Sequence, residues 1–247
     1  MTEPIVPLLN PELLYTELIW IEPLTAPFLF QNKLKVPLEG PFVKGFYAGK
    51  YPVTQELYEE VMKKNPSHFK GKHRPVEQVS WDEARVFLKK LNDDTADHYK
   101  DNLQFHLPTE VMWEYCARNH AWETNGIVST ERNQYGDFSG SHVLEEVGWY
   151  SENSHQQTQP VGLKEPNLLG LHDMSGNVWE WCADRHIEEI NEDFFEKIKE
   201  ENVTDKVARV VRGGSWGDLD LFARALIRFR FPPGNQSNSL GFRLIRY

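Results

Sequence analysis

A chain of 247 residues with 40% hydrophobic and 13% aromatic content has ample material for a core, which excludes a disordered chain. Its formal net charge of −10 argues against general nucleic-acid binding, because neutralising phosphates requires a basic surface. No apolar run approaches the roughly 20 residues that span a bilayer, and the first residues, MTEPIVPLLNPELL, lack the basic start of a secretory signal, so the expectation is one cytoplasmic domain that does not engage membranes.

Residues 1–15, punctuated by Pro4 and Pro7, read as an N-terminal arm that orders on the domain or on a second subunit, leaving residues 16–247 as a single domain. Leu18 to Ile21, Phe28 to Phe30 and Phe42 to Tyr51 have the β-branched and aromatic content of strands bounded by Pro and Gly. Thr54 is placed to cap a helix from Gln55 to Lys63 with Leu57, Tyr58 and Val61 on one face, and Asn65-Pro66 ends it. Phe69 to Pro75, FKGKHRP, is a basic loop. A second helix starts at Ser80 or Trp81, where Glu83 completes a capping box and Ala84, Val86, Phe87 and Leu91 make the buried side. Asn92 to Asp101 reads as a solvated turn, and its aspartates lack calcium-loop spacing. Pro108 opens a third helix from Thr109 to Asn119. From His120 to Leu163, Gly, Ser, Asn and Gln dissolve the pattern, with Tyr135, Trp149 and Tyr150 as anchors.

Beyond that region Gly170, Gly176, Gly213 and Gly214 sit among Trp179, Trp181 and Trp216, so the backbone turns tightly where bulky rings pack. Val178 to Trp181 alternates like a short strand. The acidic run from Asp184 to Asp205 reads as a solvated insert, partly helical, while the C-terminal arginines pack and hydrogen-bond within the fold. The chain has two cysteines, Cys116 and Cys182, which read as small buried hydrophobes. Its histidines are scattered, and no phosphate loop or nucleophile elbow is present.

Asp173-Met-Ser-Gly-Asn-Val-Trp-Glu-Trp181, then Arg212-Gly-Gly-Ser-Trp216, then Leu240-Gly-Phe-Arg243 resemble the formylglycine-generating-enzyme (sulfatase-modifying-factor) domain family. Phe46 to Thr54, Val79-Ser80-Trp81 and Leu107 to Tyr115 extend the likeness toward the N-terminus. The resemblance implies an α+β, C-type lectin-like fold, irregular and loop-rich, with a few helices and short antiparallel strands. Catalytic members oxidise a substrate cysteine with copper and oxygen, using a cysteine pair shortly after Gly-Gly-Ser; soft thiolates suit copper(I). The matching segment here, GDLDLFARALIRFR at 217–230, has no cysteine, which argues against that activity and against any required cofactor. A structural calcium ion is implied at Asp173, Gly176, Val178 and Glu180, whose oxygens suit a hard cation. Taken alone, the same residues read as a turn cap at Asp173 and an arginine partner at Glu180.

Residues 210–247 resemble, further, the variable region of proteins diversified by retroelements. In that register Arg224, Arg228, Arg230 and Pro233 are framework. The diversified positions would be Gly217, Asp218, Leu219, Phe222, Ile227, Phe229, Phe231, Asn235, Ser237, Asn238 and Ser239. The implied function is noncatalytic binding of a protein or other ligand on a rigid scaffold. Ile227, Phe229 and Phe231 alternate with Arg228 and Arg230, so one set faces inward, and periodicity does not say which. Two alternatives stand beside this: a noncatalytic member with one fixed partner in signalling or defence, and an oxidase using other residues. Nothing in the chain specifies an oligomeric state.

Overall fold

Trp179 and Trp181 point to one side of a strand and Cys182 to the other, and two hydrophobic clusters form on the two sides. The computed structural model describes residues 17–24, 28–31, 33–96, 99, 101–118, 137–199 and 207–247. In chain order its elements begin with β1 (Leu18–Ile21), β2 (Leu29–Phe30), β3 (Leu34–Lys35), α1 (Pro41–Lys44), β4 (Phe46–Gly49), α2 (Gln55–Met62), α3 (Trp81–Thr95), β5 (Phe105–His106) and α4 (Glu110–Arg118). They continue with α5 (Leu144–Val147), β6 (Gly148–Trp149), β7 (Ser175–Gly176), β8 (Trp179–Arg185), α6 (Phe194–Lys199), β9 (Arg209–Arg212), β10 (Arg228–Phe231), β11 (Leu240–Gly241) and β12 (Ile245–Arg246).

One four-stranded sheet has the order β1-β4-β12-β5, with Ile245 between Ala48 and His106, so the C-terminal strand closes a sheet begun at the N-terminal end. The other has the order β10-β9-β8-β11, with Trp181 opposite Val211 and Val211 opposite Phe229. On one side of this second sheet α2 and α3 bring Tyr58, Phe87 and Leu91 against Trp181, Val211 and Phe242. Tyr58 stacks on Phe87 at 5.3 Å and Phe242 meets both rings edge-on. On the other side α4 brings Trp113 and Tyr115 against Cys182 and Val210.

The caps are where spacing put them. Thr54 Oγ1 accepts the Leu57 N–H, and Ser80 and Glu83 exchange main-chain N–H bonds as a capping box. Several expectations need correction. Residues 42–51 are not one strand: Pro41 starts the short helix α1 before β4 begins at Phe46. Val86 is 50% exposed, and Leu88 takes its place on the buried side of α3. That helix also runs on through Asn92 to Thr95, because Leu91 and Thr95 still reach the core and Asn92 bonds the N–H and carbonyl of Phe105. The acidic insert is not solvated throughout: Phe194 on α6 is buried against Phe30. Tyr150 is a buried anchor and Trp149 is half-buried, whereas Tyr135 and the arm at 1–15 lie outside the described residues.

A candidate ligand-binding surface

Glu110 and Glu114 stand one turn apart on α4 and are buried. Arg228 grips Glu110 with both carboxylate oxygens, Nε to Oε1 at 2.6 Å and Nη2 to Oε2 at 2.8 Å. Arg212, wholly buried, donates to Glu114 at 2.9 Å and to Glu110 at 3.3 Å. Its guanidinium also reaches the main-chain carbonyls of Ala225 at 2.8 Å and Ile227 at 3.1 Å. The C-terminal segment is thus held from behind, at Arg228 through its side chain and at Ala225 and Ile227 through main-chain carbonyls, which every residue type possesses.

The same device recurs along the segment. Trp81 N–H donates to the Pro233 carbonyl, Gln78 N–H to Ser237 and Trp179 N–H to Ser239, at 2.8–2.9 Å. Ser151 N–H holds the carbonyl of Asp218 at 3.0 Å, and Trp216 Nε1 that of Asn238 at 2.9 Å. A carbonyl acceptor does not depend on the side chain attached to the next carbon, so these bonds survive exchange of the residues that carry them.

None of the positions expected to be diversified is buried. Gly217, Leu219 and Phe229 are exposed; Asp218, Phe222, Ile227, Phe231, Asn235, Ser237, Asn238 and Ser239 are half-buried. Arg228 takes the α4 side, so Ile227, Phe229 and Phe231 occupy the opposite one. Phe229 is 44% exposed, whereas Ile227 and Phe231 lean on the core around α3. Trp179 joins the three stretches: its N–H meets Ser239, its indole Nε1 meets Asp218 Oδ2 at 2.8 Å, and its ring lies 5.8 Å from Phe229. Within the set, Asp218 is turned inward, since its carboxylate also accepts the Ser215 hydroxyl, and Ser237 and Ser239 bond each other at 2.9 Å. A Cβ added at Gly217 would meet no atom within 4 Å. Among the framework residues, Pro233 is buried, Arg230 pairs with Glu188, and Arg224 lies 3.7 Å from Asp137.

The two carboxylates expected to hold calcium, Asp173 and Glu180, are otherwise engaged. Both oxygens of Glu180 accept from Arg243, at 2.8 and 3.1 Å, and Oε2 also accepts Trp113 Nε1 at 2.7 Å. Asp173 accepts the Gly162 N–H at 2.8 Å and the Asn177 amide at 3.2 Å, which makes it a turn cap. Gly176 and Val178 are buried beside them, and a Cβ at Gly176 would stand 2.2 Å from the Trp149 carbonyl. Burial raises the pKa of both carboxyl groups, and the Arg243 guanidinium already supplies the positive charge a cation would bring. As placed, these residues do not fit a calcium ion.

Cys116 and Cys182 are free and buried. Desolvation pushes the Cys116 thiol up to about 12 and raises Cys182 as well, so neither is a ready thiolate. An apolar cavity of about 470 Å³ lies between Phe42, Met112, Phe195 and Tyr247, and none of the C-terminal candidate positions lines it. No helix among the described residues is long and apolar enough to cross a membrane.

The model of the sulfatase-modifying factor enzyme 1-like domain matches residues 15–247. The chain belongs to that family. Its mixed architecture of few helices and short strands is the family's C-type lectin-like fold. This member of the family is 29% identical over 245 residues to the chaperone protein LppX of Paenibacillus barcinonensis, spanning 81% of this chain and 80% of the relative. It is 30% identical over 185 residues to the formylglycine-generating enzyme of Streptomyces coelicolor, spanning 69% of this chain and 52% of the enzyme, about half of its length. Among solved structures, Treponema denticola variable protein 1 superposes with a TM-score of 0.72 at 27% identity, covering 93% of this chain and 94% of that one.

Sequence reasoning did not single out Glu110 and Glu114. The available signal was two acids one turn apart, with Arg118 a further turn on, in a helix whose remaining residues are apolar or aromatic, EVMWEYCAR.

Proposed function

We propose that this family member is a noncatalytic, cytoplasmic recognition protein whose segment 210–247 presents exchangeable side chains to a protein or other ligand, in the manner of a retroelement variable protein. The observation that carries the reading is the anchoring of that segment through main-chain carbonyls and framework arginines, which leaves the side chains of Leu219, Phe222, Ile227, Phe229 and Phe231 outside the hydrogen bonds that hold the fold. The likeness to Treponema denticola variable protein 1 over nearly the whole of both chains supports it. So does the position of the thiols: oxidase chemistry of the family's copper type draws on reachable cysteines, and both cysteines of this chain are buried.

The test is to sequence the DNA around the gene. The reading predicts a near-copy of the codons for Trp216 to Tyr247 that differs mainly at adenines, beside a reverse transcriptase gene. A complete genome without one would favour a second reading, a fixed protein partner. That reading has its own observation in the likeness to the chaperone protein LppX across most of both chains.

A further inference from the structure

The basic loop noted in the sequence lies against the candidate surface. Phe69 meets Trp216 edge-on at 5.2 Å, and His68 meets Phe69 edge-on at 4.7 Å. A row of rings therefore runs from this loop to Trp216, whose indole binds the Asn238 carbonyl.

The loop is held by polar groups that are themselves buried. Glu77 Oε1 accepts the Phe69 N–H at 2.7 Å, and Gln55 spans the turn by donating to the Phe69 carbonyl at 2.7 Å and accepting the Gly71 N–H at 3.1 Å. Ser67 exchanges hydrogen bonds with the Glu77 main chain. Gln55 and Glu77 are fully buried and Ser67 is 2% exposed, so each was desolvated in order to fix this backbone. A fixed loop loses little conformational entropy on binding, and aromatic rings such as Phe69 are among the groups enriched at interface cores.

What the loop offers is positive. From His68 to Arg74 it reads HFKGKHR, without an acidic residue. Lys72 is paired with Glu56 at 3.0 Å. Lys70 is exposed, donates to the main-chain carbonyl of Asn65 at 3.0 Å and has the buried Glu77 carboxyl as its acidic neighbour. Its chain neighbour Phe69 meets Trp216, which stands three residues before the exposed Leu219.

We propose that the loop from His68 to Lys70 is a fixed second part of the recognition surface, which takes a carboxylate and an adjoining apolar side chain of a protein ligand. This rests on the recognition reading above. The diversified segment then chooses among ligands, and the loop supplies the part of the contact common to them.

The experiment uses the full chain to pan a displayed library of random peptides, followed by measurement of the recovered peptides on variants whose fold is checked by circular dichroism and Tm. The expected result is enrichment of peptides with Asp or Glu next to an aromatic or aliphatic residue. Their affinity should fall about tenfold or more with Phe69→Ala and with Lys70→Glu. Lys70→Glu, at an exposed site, keeps the test valid should Phe69→Ala loosen the loop. Peptides weakened by Phe229→Ala but indifferent to both loop variants would overturn the proposal while leaving the recognition reading standing. Peptides indifferent to all three variants, or no enrichment at all, would overturn both.

Discussion

Arg212 is wholly buried and its guanidinium is shared among two carboxylates and two carbonyls. Replacing it by leucine breaks these four hydrogen bonds and leaves Glu114 to Arg118 and Gln31 alone, and breaking a buried ion pair by removing one partner costs about 3–5 kcal/mol. Arg212→Leu should therefore lower the urea midpoint sharply or abolish folding, whereas Leu219→Asn, at an exposed position, should stay within about 0.5 kcal/mol. Two glycines give a second contrast. Gly214 has φ +74, and a Cβ there would stand 2.9 Å from the backbone of Ala223, while Gly217 has open space. Gly214→Ala is expected to cost about 1–3 kcal/mol, and Gly217→Ala to leave Tm unchanged; equal effects would refute the distinction between framework and display.

Asp184 gives a pH dependence at the same scale. Its carboxylate accepts the Glu110 N–H, yet desolvation, with the charge of Glu110 adding to it, pushes its pKa up to about 7. The unfolded value is about 3.9. The folded state therefore keeps a proton that the unfolded chain releases, and this contribution to stability is fullest below about pH 4 and is lost as pH rises through about 7. In urea melts at about pH 5 and about pH 8, wild type should lose more stability across the interval than Asp184→Asn. An identical loss would sink the assignment.

At the scale of elements, helix starts were legible because they are local. Thr54 and Ser80 with Glu83 cap α2 and α3 through bonds that span three residues, and such spacing is visible in a sequence. The extent of α3 was not: its polar last turn persists because Asn92 is tied to Phe105 on β5, a contact made only once the chain is folded. The strand β10 shows the same division. Alternation separated Ile227, Phe229 and Phe231 from the arginines, but the face each set takes was decided by Glu110, which lies 118 residues away in the chain. Glu110→Gln tests that link, since it keeps the shape and removes the charge that receives Arg228 and Arg212. It is expected to destabilise β10 before the rest of the sheet, read as faster amide hydrogen exchange at Arg228 to Phe231 than at Trp179 to Arg185. Uniform acceleration across both strands would contradict the idea that α4 fixes β10 from behind.

For the whole molecule, the family and fold were legible from three Gly and Trp motifs in order, because those residues serve tight turns and ring packing that the fold cannot do without. The ion expected from the same motif was less secure, since oxygen donors at a given spacing serve a guanidinium as well as a metal. With Arg243 in place, a chelator and added millimolar calcium should give the same Tm; a rise with calcium would show that the ion displaces the arginine.

The account depends most on the claim that backbone anchoring lets the C-terminal side chains change while the fold persists. Its most direct measurement is a displayed library randomised at Gly217, Leu219, Phe222, Ile227, Phe229, Phe231, Asn235 and Asn238, sorted for protease resistance, beside a matched library at Arg212, Glu110, Trp179, Gly214, Pro233, Phe242, Arg243 and Gly241. The first library should retain a large folded fraction and the second almost none. Comparable losses in the two would show that the segment is ordinary core and would remove the basis for a recognition surface there.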